Sequence, residues 1–384
     1  MGVLNFNERP ILVFWESTRA CLLACKHCRA EAIEKPAEGE LSTSEGKNLI
    51  DQLTVFGRPY PVLIITGGDA LMRPDVFDLV HYARSKQVPI GLAPSVTPRL
   101  TEENIQTMAR LGVKAVSISL DGAKPSTHER IRGIPGHFEE TVKQLRRLVD
   151  AGFEVQVNTA VMKDNVSELP ALVQLMKQTG VKIWEVFYLI HVGRGKESAE
   201  LTANECEDVG HFLFEASTYD LIVRTVKAPF FRRIVTERRE YYQGMTESSQ
   251  DVAEHFQLGA LYQKLSGELR NRLNLPASAS KAQTSHTRDG KGIIFVAYDG
   301  TVYPAGFLPL PLGNVRTDRL VDIYRDNPVL KDIRNSQFGG KCGRCSYRDM
   351  CGGSRSRAFA HYHDPLGEDP SCNYDPSSSI KVMV

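Results

Sequence analysis

Seven of the eight cysteines in this 384-residue chain fall into two groups whose spacing suits metal binding. Cys21, Cys25 and Cys28 form a C-x3-C-x2-C triad directly after the apolar run ILVFW, and Cys342, Cys345, Cys351 and Cys372 form C-x2-C-x5-C-x20-C towards the other end. Three thiolates can hold a 4Fe-4S cluster while leaving one iron without a protein ligand, and chemistry at a metal needs such an open position. Four thiolates can close a site completely. The spacing therefore predicts one reactive metal centre and one saturated one. Zinc competes for both on spacing alone. The tail group has the ligand number of a structural zinc site, whereas the triad has no fourth cysteine nearby and only His27 within it, a ring placed to pack against the centre or contact a ligand. Cys206, outside both groups on a helical stretch, reads as an ordinary free thiol.

Positioning such groups requires a scaffold, and the first half of the chain supplies a regular one. Short β-rich runs at Ile11–Trp15, Val62–Thr66, Val88–Ala93, Ala115–Leu120, Val155–Val161 and Ile183–Leu189 alternate with amphipathic helical patterns such as SEGKNLIDQLTVF and FEETVKQLRRLVDAG. Six strands alternating with helices predict an α/β fold with a parallel sheet and right-handed crossovers. The distinctive residues follow the strands: Cys21 the first, Gly67-Gly68-Asp69 the second, Asp121-Gly122 the fourth and Gly193-Arg194-Gly195 the sixth. Active sites of parallel barrels and open sheets lie at that edge. Eight strand–helix units do not fit before the pattern changes near residue 200, so a partial (β/α)6 barrel is expected over residues 1–200. A polar, helical connecting segment is expected over 201–290, including a flexible loop in PASASKAQTSHTRDGKG. A smaller domain over 291–384 starts with the hairpin IIFVAYDGTVYPAG, turning at Asp299-Gly300.

Formal net charge is +1, from 47 basic and 46 acidic residues, which gives no global attraction to nucleic acid or an anionic membrane. The stretch MGVLNFNERP lacks a basic region followed by an apolar core, and no apolar run reaches the roughly 18 residues a membrane span needs. Cysteines grouped for metal rather than for disulfides favour a reducing, cytoplasmic setting.

With TGGD (Thr66–Asp69) and SISLDG (Ser117–Gly122) at the strand ends, the cysteine triad makes the chain resemble a radical S-adenosylmethionine (SAM) enzyme. The resemblance covers residues 9 to about 195, and residues from about 290 to 384 resemble its SPASM or twitch-like auxiliary-cluster extension. It implies that Cys21, Cys25 and Cys28 hold a 4Fe-4S cluster whose open iron chelates SAM. An electron from a flavodoxin- or ferredoxin-type donor then breaks the sulfonium bond to give a 5′-deoxyadenosyl radical that abstracts a substrate hydrogen. Gly67, Gly68 and Asp69 resemble the family's GGE motif, which contacts the methionyl amino group; here Asp replaces Glu and Ala70 stands where Pro is usual. Glycine there is expected to let backbone approach the ligand. By the same resemblance Ser119 and Asp121 contact the cofactor's carboxylate or ribose, with Asn158 and His27 as further contacts. The tail cysteines hold one auxiliary 4Fe-4S cluster, since Ala305 stands where a cysteine commonly begins the extension and four thiolates are too few for two.

Two substrate classes compete. CGGSRSRA, EDPSC and TVKAPFFRR resemble enzymes of heme d1 and alternative heme biosynthesis, of the NirJ and AhbD type, which modify tetrapyrrole side chains. Lys227, Arg232, Arg233, Arg355 and Arg357 would supply local positive charge for such carboxylate-bearing substrates. Maturases of ribosomally made peptides, of the PqqE and mycofactocin type, share the core and are the alternative. A non-catalytic iron–sulfur carrier would need neither TGGD nor SISLDG. The tetrapyrrole reading is preferred.

Overall fold

Leu12–Glu16, Val62–Thr66, Ile90–Leu92, Ala115–Ser119, Glu154–Val161, Ile183–Tyr188 and Ile222–Val226 form strands β1 to β7. In this computed structural model, which describes residues 5–244, 251–274, 276 and 278–377, they lie in sequence order and every neighbouring pair is parallel. Residues 1–4, where the N-terminal targeting expectation begins, lie outside the described residues. Successive strand side chains face opposite ways. Val13, Trp15, Leu63, Ile65, Val116, Ile118, Val157, Trp184 and Val186 are buried in the core shared with the helices. Their neighbours Phe14, Ile64, Ser117, Ser119, Gln156, Asn158 and Glu185 are half-buried on the inner face.

The crossover helices carry their own stop and start chemistry. Helix Thr43–Thr54 opens on a reciprocal capping box between Ser42 and Glu45. Helix Pro125–Arg132 has Pro at its first turn and ends at Gly133, whose φ of +77° is a left-handed value that glycine adopts without strain. That stop leaves Arg132 as the last helical residue, at the sheet edge bearing the cysteine triad. Among the described residues no helix is long and apolar enough to cross a membrane.

Two expectations are corrected. The segment expected to be helical over 201–290 contributes a seventh parallel strand, β7, registered on β6 from Ile183↔Ile222 to Phe187↔Val226. Its sequence, IVRTV, carries Arg224 and Thr225 between its apolar residues, which breaks the apolar run. The stretch expected to be a flexible loop is laid along β7 and the helix before it: Ser278, Lys281 and Gln283 donate backbone bonds to Thr218, Ser217 and Val223.

The C-terminal part joins the same sheet. Arg288–Asp289, Gly292–Val296, Thr301–Tyr303 and Gly313–Asn314 form β8 to β11. The expected hairpin is β9–β10, antiparallel, with Gly300 at φ +84° in its turn. β9 also pairs in parallel with β1, from Leu12↔Ile293 to Trp15↔Val296, giving the order β11-β10-β9-β1-β2-β3-β4-β5-β6-β7. The hairpin thus closes the free side of β1, next to the triad.

Candidate active site and metal centres

Cys21, Cys25 and Cys28 lie in the loop after β1 and pack with Leu23, Ala32 and Ile134 in one small cluster. Cys21 and Cys25 are buried and Cys28 is half-buried. The loop is held from three sides. Lys26 donates its backbone N–H to Ile131 O (2.9 Å) at the end of helix Pro125–Arg132. Arg194 donates its backbone N–H to Cys28 O (3.1 Å) and its guanidinium to Cys25 O (2.9 Å) and Ala32 O (3.1 Å). Gly193, at φ +54°, allows this approach; a Cβ there would stand 2.5 Å from Arg29 O and 2.6 Å from Cys28 O. Burial pushes the Cys21 thiol up to about 11, a rise that a cation at the sulfur would oppose. Three soft donors packed in one small cluster, with no carboxylate in it, fit an iron–sulfur centre.

Under the triad lies an ionic network. Asp121 is fully buried; its carboxylate pairs with Arg132 at 2.6 Å and His27 Nε2 at 3.5 Å and accepts from Ala160 N–H at 2.8 Å. Burial opposes its ionisation, but chiefly the charge of Arg132 holds the carboxyl below the usual range. Arg132 also donates to Cys25 Sγ at 3.4 Å. His27 keeps its pKa low through burial, and its Nδ1 is buried with no hydrogen-bond partner among the described residues. Asp121 therefore faces the fold and the triad's support, not open space. Arg132, absent from the expected site, joins cysteine, histidine and aspartate. Its sequence context, HERIRG, looks like an ordinary charged helix end.

Asp69 is engaged within the fold. Its carboxylate is fully buried, Oδ1 accepting from Leu71 N–H (3.1 Å) and Ser95 N–H (3.1 Å) and Oδ2 from Thr97 Oγ1 (2.7 Å). Burial raises its pKa and these donors oppose the rise. Gly67 and Gly68 press on protein rather than leave space: a Cβ on Gly67 would meet Thr18 N at 3.1 Å, and one on Gly68 would meet Arg19 O at 2.6 Å. Gly68 and Asp69 donate backbone bonds of 2.7 Å to Thr18 O and Ala20 O. The TGGD loop thus fixes the approach to the triad, and brings Ser95 Oγ to 4.0 Å from Cys21 Sγ.

Ser119, Asn158, Glu185 and Arg224 occupy one rank across β4 to β7 on the inner face. Gln156 donates to Asn158 Oδ1 (2.7 Å) and Glu185 Oε2 (2.9 Å), and burial raises the pKa of Glu185. Period-two alternation on β6 and β7 would have marked Glu185 and Arg224 as inner-face residues. Beside this rank, Phe307 has Lys227 Nζ 5.1 Å and the Arg29 guanidinium 5.9 Å from its ring centroid. Arg29 also covers Phe295 at 4.6 Å and pairs with Glu16 at 3.2 Å; Lys227 pairs with Asp289.

The other expected substrate cations are engaged by the fold itself. Arg232 donates to Met350 O and Thr287 O, and Arg233 to Glu207 and Glu237. Arg355 donates to the carbonyls of Gly353, Pro365 and Gly367, and Arg357 to those of Lys227 and Leu189. Arg232, Arg355 and Arg357 hold the C-terminal lobe together and to the barrel, while Arg233 ties helix Phe231–Gln243 to helix Ala203–Ala216, because a buried guanidinium has five donors to satisfy.

Cys342, Cys345, Cys351 and Cys372 line one cavity with Gly352, Gly353 and Tyr374. Gly353, at φ +63°, admits the sulfurs closely, since a Cβ there would stand 2.9 Å from Cys342 Sγ. Backbone N–H groups of Tyr347, Gly353 and Asp369 each donate at 3.4 Å to Cys345, Cys351 and Cys342. Four converging thiols with donors on three sulfurs fit a closed thiolate centre. Ala305 pairs with Leu308 outside this cavity. Cys206 is buried, and desolvation pushes its thiol up to about 12.

Beneath β4, a proton-ordered chain links Asp121 N–H to His128 Nδ1 (3.2 Å), His128 Nε2–H to His137 Nδ1 (2.8 Å) and His137 Nε2–H to Val96 O (2.9 Å). The end partners fix both imidazoles as neutral. Burial lowers the pKa of His128 to about 3, against about 6.5 unfolded. Between those values the unfolded chain binds the extra proton, so stability falls as pH falls, by up to roughly 1.4 kcal/mol per pH unit. Anaerobic urea unfolding of wild type should weaken from pH 7 to pH 5 more than that of His128→Gln; equal slopes would refute the assignment.

The family described as Radical SAM superfamily matches residues 15–176, and that described as SPASM, an iron-sulfur cluster-binding domain, matches residues 288–346. AdoMet-dependent heme synthase of Nitratidesulfovibrio vulgaris is 35% identical over 369 residues, 95% of this chain and 92% of that protein. Mycofactocin maturase MftC of Mycobacterium tuberculosis is 29% identical, over 95% of this chain and 83% of that protein. The crystal structure of Streptococcus suis SuiB bound to S-adenosylmethionine superposes with a TM-score of 0.68 at 13% identity, covering 96% of this chain and 78% of that one, which establishes the shared fold.

Proposed function

Because the chain belongs to the radical SAM superfamily and carries a SPASM iron–sulfur domain, we propose that it is an enzyme that initiates radical chemistry on the side chains of a tetrapyrrole. In this reading Cys21, Cys25 and Cys28 hold the SAM-binding 4Fe-4S cluster, and Cys342, Cys345, Cys351 and Cys372 hold one auxiliary 4Fe-4S cluster. Bound together, the first cluster and SAM supply a 5′-deoxyadenosyl radical when a flavodoxin- or ferredoxin-type donor of the cytoplasm delivers an electron.

The chain's own residues have definable tasks. Arg132 neutralises Asp121 and directs one N–H at Cys25 Sγ, so the loop is held in one geometry. Arg194 and Gly193 clamp the loop from the β6 side. Phe187 and Phe307 form a tilted aromatic pair with centroids 6.3 Å apart, Lys227 lies beside Phe307, and Arg29 lies over Phe295. A planar macrocycle with peripheral carboxylates matches aromatic surface flanked by cations.

The observation that carries the substrate class is the 35% identity to a protein named AdoMet-dependent heme synthase along nearly the whole of both chains. The peptide-maturase relative is more distant, at 29%. Anaerobically reconstituted enzyme with SAM and reductant, given iron-coproporphyrin or candidate peptides, tests it by product mass. A lighter porphyrin product is expected; an unchanged porphyrin beside a modified peptide would overturn the reading.

A further inference from the structure

We propose that His191, Glu200 and His361 form a binding site for a divalent transition ion of the zinc class, joining the barrel edge to the C-terminal lobe. His191 lies in the loop after β6, Glu200 just before helix Ala203–Ala216, and His361 in the last turn of helix Arg355–Tyr362. One ligand atom from each lies within 4.8 Å of the others.

The hydrogen bonding points to a cation. His191 Nε2 stands 3.0 Å from Ser198 O, and a carbonyl only accepts, so Nε2 carries the ring proton. Neutral His191 then presents a lone pair at Nδ1. That atom faces Glu200 Oε1 at 3.9 Å, and Oε1 is buried without a hydrogen-bond partner among the described residues. Two electron-rich atoms thus face each other across a gap too long for an N–H···O bond. The other carboxylate oxygen, Oε2, stands 3.1 Å from His361 Nε2. Ligand atoms around tetrahedral zinc are roughly 3.4 Å apart; His361 approaches Oε2 at 3.1 Å and His191 approaches Oε1 at 3.9 Å, so the two oxygens of the one carboxylate face the two rings across spacings near that value. Two imidazoles and a carboxylate suit that metal class, and a histidine whose second nitrogen is fixed by a backbone carbonyl is a typical ligand.

Charge permits it. Arg357 Nε lies 3.9 Å from Glu200 Oε2, but Asp369, 3.5 Å from Arg357 Nη1, offsets that cation, and its other donors hold Lys227 O and Leu189 O. Both histidines are 34% exposed while Glu200 is 12% exposed, so solvent provides the entry path and the carboxylate forms the floor. None of the three belongs to either cysteine group.

The test uses holoprotein with both cysteine sites loaded with iron, equilibrated by dialysis against micromolar Zn2+ and analysed for zinc and iron per chain. Wild type should bind about one zinc over and above any iron displaced, and Glu200→Gln and His361→Ala should each weaken binding at least tenfold with iron content unchanged. His361 is at the surface, so its variant keeps the measurement informative if Glu200→Gln does not fold. Absence of extra zinc in wild type, meaning that a proton alone relieves the His191–Glu200 contact, would overturn the proposal. Equal zinc binding by wild type and His361→Ala would overturn it too.

Discussion

Cys25→Ala is expected to lose 5′-deoxyadenosine formation by well over a hundredfold and to cut bound iron from about eight per chain to about four. Removing an outer-shell partner of a metal ligand already costs 10–100-fold. Cys25 is itself one of only three cysteines in its packed cluster, and its sulfur accepts the N–H that Arg132 directs there. Ala at this position keeps the apolar packing with Leu23 and Ala32, so the loss would be of a ligand rather than of the fold. Cys351→Ala is the internal comparison: it should lower iron by the same amount through the other cavity. Wild-type SAM cleavage by Cys25→Ala would remove the basis for assigning the triad.

Arg132→Leu should be the most destabilising substitution outside the cysteines, by about 3–5 kcal/mol. The cost comes from what remains. Asp121 would stay fully buried with its 2.6 Å partner gone, left as an uncompensated carboxylate or forced to take up a proton, and either state costs stability. His27, at 3.5 Å and itself resisting protonation through burial, cannot replace a guanidinium. Adding Asp121→Asn to Arg132→Leu should recover part of the loss, because a neutral amide needs no counter-charge. A double-mutant cycle on urea midpoints reads the coupling. A loss under 1 kcal/mol, or no recovery in the double variant, would show that the pair is not a unit.

The strand pattern made much of this fold legible, and the reason is burial on both faces. Val62–Thr66 and Ala115–Ser119 alternate residues packed under helices with residues on the inner face, and they follow and precede recognisable helix caps. β7 escaped because Arg224 interrupts its apolar residues at an inner-face position and the strand follows a helix in a polar stretch. The cysteines were legible because thiolate ligand spacing is itself a sequence feature. The functions of Asp69 and of the tail arginines were not, because residue type does not tell whether a charge faces a ligand or its own fold. Asp69 turns to Ser95 and Thr97 on the next strand's loop, and Arg355 to carbonyls ten and twelve residues on. Arg132 became visible only through tertiary contacts with Asp121, 11 positions before it, and Cys25, 107 positions before it.

The parallel pairing of β1 with β9 has a consequence for how the molecule is made. During synthesis, the strand that satisfies the outer backbone groups of β1, Gly292–Val296, is translated only after all of β2 to β8. Until then a nascent chain carries an open, apolar strand edge of the kind that recruits other chains. Shortened versions ending before β9 would keep that edge for good, so the cysteine-triad half is not a portable module, and aggregation on expression would be its signature.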